Sequence, residues 1–385
     1  MKIPNVEESD ARAVVTACPP FRSGLWGILA GWTQTGAMER CGCVGSAASR
    51  LWVGRFLRGE AAAIFTMRFA MRSRTADSSA RADLYAGTLD MCAWAESRGC
   101  MAAIVSQHHG VPDGYLPSPI PVAAAIAART STLHVSVAAL LLALYEPAKL
   151  AEDLAVVDLL SRGRVSYVVG IGYRDEEFAM FGVDRRTRAQ ITEMRIGVLR
   201  KLWAGQTVEI DGRPVTVTPA PYSPGGPMLA YGGGSEAAAR RAGRLGMFFV
   251  AETHDSDLRA AYLDEAARAG VAPVGWAFPE TGVPLTVFVA DDPDRAWADI
   301  GEYLLADATS YAEWNSYRTG TASVSFATTV SELKAEQGAY QIVTPEQARA
   351  FVARGVPLGL QPLVGGLSPD RAWPYLEAAA AITAG

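Results

Sequence analysis

Charge is scarce in this chain. Only 19% of its 385 residues are Asp, Glu, Lys or Arg, and a net charge of −5 gives no basic surplus for nucleic acid. Histidine is rarer, at four residues, so proton chemistry near neutral pH has few candidates. The five cysteines, at 18, 41, 43, 92 and 100, form no CxxC pair and no zinc-ligand spacing. Reduced thiols in a cytoplasm are the plain reading, and Cys41-Gly42-Cys43 reads as incidental thiols rather than a redox pair. Long apolar runs are missing too: the longest, Val135–Tyr145, is about half of a bilayer span, so no membrane partner is expected. No G-x-G-x-x-G with an acidic partner about 20 residues on is present, which excludes the dinucleotide fingerprint. No shorter repeat period shows. What the chain has is hydrophobic residues, half of the total and ample for a sizeable core.

The stretch from Pro147 to Arg188 organises the rest. Pro147 suits a first helical position, and Leu150, Leu154 and Val157 fall at i, i+4 and i+7 on one face. Ser161-Arg162-Gly163-Arg164 stops that helix, with Gly163 expected to be left-handed. Val165–Val169 is a short β-branched run of the kind buried on both faces of a parallel sheet. Gly170-Ile171-Gly172 then bares the backbone where the strand should end, as a ligand at the carboxyl end of a barrel strand requires.

From Met67 onward strands and helices alternate. Strands are expected at Arg68–Met71, Met101–Val105, Leu133–Leu142, Val165–Val169, Met228–Tyr231, Met247–Ala251, Leu285–Ala290 and Val356–Pro362. Helices are expected at Arg81–Arg98, Pro117–Arg129, Arg186–Trp203, Glu236–Leu245, Asp257–Ala269 and Pro369–Ile382. The Arg186–Trp203 helix is given Ile191, Met194, Val198 and Leu202 as its face. A hairpin is expected around Asp211-Gly212. Eight strand–helix pairs fit an α/β fold, the (β/α)8 TIM barrel. Residues 291–342, rich in Trp, Tyr and Phe, read as an irregular insertion after the seventh strand. It is expected to bring Trp297, Tyr303, Trp314, Tyr317 and Phe326 to the substrate pocket. Residues 1–66 show no sustained period and read as an extension outside a 67–385 domain, poorly ordered or the product of a misassigned start. Glu7, Glu8 and Asp10 stand where a signal peptide needs positive charge. Peptides from Val6–Arg22, abundant in mass spectra of the native protein, would argue against a later start.

The barrel rule sorts the candidate residues, since loops after the strands form the active face. His108 and His109 follow the second strand and can move protons near pH 7 or serve as hydrogen-bonded structural residues. No metal site is expected, because adjacent histidines do not converge on one ion. His134 begins a strand on the stabilising face, whereas His254 follows a late strand and is a second candidate. Gly232-Gly233-Gly234-Ser235, between a strand and a helix, reads as a phosphate site. Bare amides approach an oxyanion there, Ser235 caps the helix or donates to the ligand, and the helix amino end favours negative charge. Asp158 and Arg164 are expected to pair across the helix-to-strand connection. Arg174, Glu176 and Glu177 read as a solvated loop.

These stretches resemble the luciferase-like monooxygenase superfamily. The resemblance rests on Gln107-His108-His109, Ala127–Thr130, Pro147-x-x-x-Ala151-Glu152, Asp158-x-x-Ser161-x-Gly163-Arg164, Gly170-x-Gly172, Glu177-Phe178, Phe181-Gly182, Arg188 and Gly232–Ser235. It runs from about Met67 to the C-terminus. It implies a flavin-dependent monooxygenase that uses reduced FMN, supplied by a separate reductase, and O2 on a small organic substrate. The alternatives are a deazaflavin (coenzyme F420) dependent dehydrogenase and a non-catalytic flavin-binding barrel. A homodimer is expected on the same ground. The flavin phosphate would sit on Gly232–Ser235, with the ring near Gly170 and a non-prolyl cis peptide at Ala138–Ala139. Gly172 and Arg174 are expected beside it, and His108 matches the acid/base histidine. Two departures stand out: Gln107 replaces the usual Glu before the histidines, and Ile171 stands where some flavin-binding members have Arg.

Overall fold

The computed structural model describes residues 65–315 and 320–384. The expected extension therefore lies outside the described residues, apart from its last two. Strand β1 spans Phe65–Phe69, β2 Cys100–Val105, β3 His134–Leu141 and β4 Val165–Gly170. A hairpin, β5 Val208–Ile210 and β6 Arg213–Val215, turns on Asp211 and Gly212, both at positive φ. Then come β7 Leu229–Gly233, β8 Phe248–Ala251, β9 Trp276–Ala277, β10 Thr286–Val289, β11 Tyr340–Val343 and β12 Leu358–Leu360.

Ten strands form one parallel sheet in the order β11-β10-β12-β1-β2-β3-β4-β7-β8-β9. Strands β2 and β4 are buried along their whole length, as expected of strands covered on both faces. The first strand pairs with the last, Phe65 with Leu358 and Met67 with Leu360. One cavity of about 490 Å³ is lined by Thr66 of β1, Ile104 of β2, Ala138 of β3, Val168 of β4, Gly232 of β7, Val250 of β8, Ala277 of β9 and Leu360 of β12. Eight of the ten strands thus face one interior, as in a barrel wall, and the fold is the (β/α)8 barrel.

The helices cover the outside: α1 Ser78–Ala95, α2 Pro119–Arg129, α3 Pro147–Ser161, α4 Asp175–Met180 and α5 Arg188–Trp203. They continue with α6 Glu236–Arg244, α7 Asp257–Arg268, α8 Pro293–Trp314, α9 Val330–Glu336, α10 Pro345–Ala353 and α11 Pro369–Ala380. In α3, Leu150, Leu154 and Val157 are buried as their spacing implies, and the chain leaves through two left-handed residues, Arg162 and Gly163.

Three expectations need correction. Residues 291–342 are not irregular: they hold the 22-residue α8, then α9, and β11 adds to the sheet beside β10. The face of α5 is displaced: Thr192, Ile196, Leu199 and Leu202 are buried, whereas Met194 is exposed. Asp158 and Arg164 do not pair. Asp158 accepts hydrogen bonds from the main chain and hydroxyl of Ser223, at 2.6 and 3.0 Å. Arg164 donates to the carbonyls of Ala127, Thr130 and Leu133 and to the Thr130 hydroxyl. Each buried charge is satisfied by main chain of a different segment.

Candidate active site

The carboxyl ends of the strands set out the site. Directly after β2, the successive residues Ser106, Gln107 and His108 line the cavity. His108 is buried. Its Nδ1 lies 2.8 Å from Glu177 Oε1, and its Nε2 lies 3.0 Å from the Tyr173 hydroxyl. The rings of Tyr115 and Trp314 pack against it, with centroids at 4.8 and 4.7 Å. Burial lowers the imidazole below its ordinary value, and the adjoining Glu177 carboxylate opposes that shift without reversing it. Burial pushes the Glu177 carboxyl up, but bonds from His108 and the His109 main chain, with Arg174 nearby, bring it net below the usual range. The pair at neutral pH is therefore a carboxylate beside a neutral ring.

Sequence reasoning gave Glu177 to a solvated loop, yet its side chain is inaccessible and serves His108. The carboxylate that Gln107 fails to provide thus comes from α4. Gln107 does other work: its oxygen accepts the Leu141 N–H at 3.0 Å and its amide donates to Tyr145 at 2.9 Å. His109 turns away from the cavity, 2.7 Å from the Gln107 amide and edge-on to Phe181.

The neighbouring wall, at the ends of β3, β4 and β7, carries alanine and glycine. The Ala138–Ala139 peptide is cis, as expected. A Cβ on Gly170 would stand 2.7 Å from that of Ala139, so the wall there is flat main chain and methyl groups. Gly172 has φ +73°, and a Cβ on it would meet the Phe178 ring at 2.9 Å. At the end of β7, Cβ atoms on Gly232 and Gly233 would fall 2.9 Å from Val168 and 2.6 Å from Ala238. Ser235 is the N-cap of α6, accepting the Ala238 N–H at 3.3 Å. Gly232, Gly233, Gly234 and Ser235 all line the cavity that His108 lines.

Arg174 is placed elsewhere. It donates to the His109 carbonyl at 2.8 Å and lies over the Trp314 ring, so it serves the histidine cluster and does not face the glycine turn. Arg188 lines the cavity, donating to the Gly172 carbonyl at 3.2 Å. His254 is exposed and bonded to the Pro279 carbonyl, while Glu252, two residues before it, reaches the cavity. His134 bonds Ser166 at 2.8 Å on the stabilising side. Of the aromatic residues expected at the pocket, Trp297 is core, Tyr303 packs on Arg74 and Arg371, and Phe326 is exposed. Trp314 reaches the site only from behind His108, and Tyr317 lies outside the described residues. Tyr311 and Asn315 of the α8 region line the cavity instead, one helical turn apart and legible only once α8 is known to be a helix. Cys92 and Cys100 are buried and free, and Cys18, Cys41 and Cys43 lie outside the described residues. Among the described residues no helix is long and apolar enough to cross a membrane, and no cluster of metal-ligating side chains occurs.

Residues 65–355 match the luciferase-like monooxygenase family. The chain belongs to that family. The alkanal monooxygenase alpha chain of Photorhabdus luminescens is 30% identical over 125 residues, 31% of this chain and 35% of the relative. A Sinorhizobium fredii protein is 26% identical over 193 residues, 49% of this chain and 55% of its own. The chain thus matches about half or less of the length of these curated relatives. Among solved structures, the monooxygenase RslO1 of Streptomyces bottropensis superposes with a TM-score of 0.64 at 21% identity, covering 83% of this chain and 98% of that one. The oxygenating constituent of 3,6-diketocamphane monooxygenase from Pseudomonas putida, in complex with FMN, gives 0.62 at 18%, covering 84% and 98%. An F420-dependent secondary alcohol dehydrogenase gives 0.53 at 16%, covering 82% and 99%. The luciferase-like fold is therefore shared by chains named for both cofactors.

Proposed function

We propose that this luciferase-like chain is a flavin-dependent monooxygenase acting on a small organic molecule with reduced flavin and O2. One observation carries the reading. A single cavity presents a glycine turn at a helix amino end, a flat wall at Ala138–Ala139 and Gly170, and the buried His108–Glu177 pair. Its volume, about 490 Å³, suits a drug-sized ligand. The Cβ clashes at Gly170, Gly232 and Gly233 describe a surface that must stay bare, which fits a planar ring with a phosphorylated tail.

Gly232–Ser235 would hold the phosphate on main-chain amides, and the Arg188 guanidinium lines the same cavity. Ala138, Ala139, Gly170 and Gly172 would carry the ring. When bound, the flavin supplies the electron transfer and oxygen activation. His108 would accept a proton at Nε2, with Glu177 fixing its tautomer and balancing the resulting imidazolium. Tyr115 and Trp314 shield the pair from water, which strengthens that balance. On this reading a separate reductase delivers the reduced flavin, and the protein works as a cytoplasmic homodimer, which light scattering would test.

Titrating the purified protein with reduced FMN and with reduced F420, while following oxygen, tests the reading. Tight binding of reduced FMN with oxygen uptake is expected. Binding of F420 alone, with hydride transfer and no oxygen uptake, would instead mark a dehydrogenase like the F420-dependent neighbour. His108→Ala is expected to keep cofactor affinity and lower turnover about 10²–10⁴-fold. Unchanged turnover would leave a non-catalytic flavin-binding barrel.

A further inference from the structure

On β1, Phe65, Met67 and Phe69 are fully buried in the core, and the alternate residues Thr66 and Arg68 line the cavity. A permanent cation therefore stands on the inner wall. The Arg68 side chain makes no hydrogen bond and no ion pair with any described residue, and none of its nitrogens is sealed inside the protein. Asp307 feels its charge, yet that carboxylate bonds Arg72 at 3.1 Å, Tyr340 at 2.9 Å and Gln361 at 3.3 Å instead. Five N–H donors beside a cavity, with no acceptor from the chain, are what an anionic guest would occupy.

Strand register places this arginine away from the wall assigned to the flavin. Arg68 pairs with Ile104 of β2, and Ile104 with Ser136 of β3, two residues before Ala138. Two strand residues span about 7 Å, so Arg68 stands one inward-facing row nearer the amino end than the cis peptide. Close to it in sheet order the cavity is lined by Ile104, Leu360 and, just before β10, Leu285, all aliphatic. Neither the glycine turn nor the flat wall of β3 and β4 draws on this row.

We propose that this inner row is a subsite for a small organic acid, with the carboxylate on Arg68 and the apolar body against Ile104, Leu285 and Leu360. The acid's binding stands on the arginine and its row alone; that the acid is the molecule oxidised rests on the flavin reading. One guanidinium matches one carboxylate through a two-bond fork. A dianion fits less well, because Asp307 lies close and Glu252 and Glu280 line the same cavity. A carboxylic acid is already ionised near pH 7, so its binding moves no proton.

Calorimetric titration of the purified protein tests the subsite without any flavin. The probes are benzoate and cyclohexanecarboxylate, each against its neutral amide. At least one acid is expected to bind about 10²-fold more tightly than its amide. Arg68→Met should abolish that preference and leave the affinity for the amide within about twofold. Arg68→Lys, which keeps the charge and loses the fork, should retain only part of it. Melting curves show which variants are folded, and the lysine variant decides if the methionine one is not. Failure of both acids to bind, equal affinity for acid and amide, or an undiminished preference in a folded Arg68 variant overturns the subsite. A preference that is absent while Arg68→Met weakens reduced FMN also overturns it, and gives the arginine to the anion of the reduced flavin. If an acid binds through Arg68 but reduced FMN does not bind, the subsite stands and the flavin reading fails.

Discussion

His134 shows how a buried setting silences a titratable group. Its imidazole is pressed down to about 4, by burial first and by the neighbouring Arg164 second. The folded chain therefore binds fewer protons there than the unfolded chain, so stability is full above about pH 6.5 and falls as pH drops toward 4. His134→Gln, which can keep the bond to Ser166, is expected to flatten that acid limb. The effect is up to about 3 kcal/mol at pH 4, read from denaturant midpoints across the range. Arg164 makes the complementary case. Arg164→Met strands the carbonyls of Ala127, Thr130 and Leu133 and should destabilise the fold by about 2–4 kcal/mol in urea titrations, irrespective of activity. At this scale the sequence was only partly legible. The histidine order and the glycine turn could be read, because strand ends and bare backbone leave local marks. Glu177 could not, since its partner lies 69 positions away and nothing in Arg174-Asp175-Glu176-Glu177 tells the buried carboxylate from its exposed neighbours.

Among the elements, α6 and α7 meet backbone against backbone. A Cβ on Gly243 would lie 2.3 Å from the Tyr262 carbonyl and 3.0 Å from the Ala266 nitrogen, both backbone atoms that cannot step aside. Alanine favours a helix over glycine by about 1 kcal/mol. Gly243→Ala is nevertheless expected to destabilise the protein by about 1–3 kcal/mol, because the crowding exceeds the propensity gain. A raised melting temperature would refute that order of effects. The element boundaries expected from local signals mostly hold to within two or three residues, α3 and β4 best of all, since proline, apolar spacing and glycine agree there. Helix α8 was missed for a physical reason. Its buried face runs through Trp297, Ile300, Gly301, Leu304, Asp307 and Ala308, so a glycine and a buried carboxylate interrupt the apolar stripe. Asp307 is tolerated because Arg72 lies 3.1 Å away and Tyr340 and Gln361 donate to it, partners drawn from three other parts of the barrel.

For the molecule as a whole, the topology was the most legible feature, because eight alternations of period-two and period-3.6 patterning admit few other arrangements. A cofactor that binds only the folded barrel should raise its stability by about 2.7 kcal/mol at a hundredfold excess over Kd. The larger melting shift, with FMN or with F420, then reports the cofactor without any knowledge of substrate. The cavity also runs the full height of the wall, from Gly172 and Ser235 at one end of the strands to Thr66, Val356 and Pro357 at the other. Its middle is therefore not closed by the layers of bulky side chains that usually plug such barrels. Adding carbon there ought to make the empty protein sturdier: Ala277→Val contributes about 0.8 kcal/mol for each buried methylene-sized group, provided the rotamer fits. The same graft narrows the space for any guest. Hollowness and cohesion pull against each other in this chain, and a variant selected only for heat resistance would be expected to fill its own centre and lose its visitor.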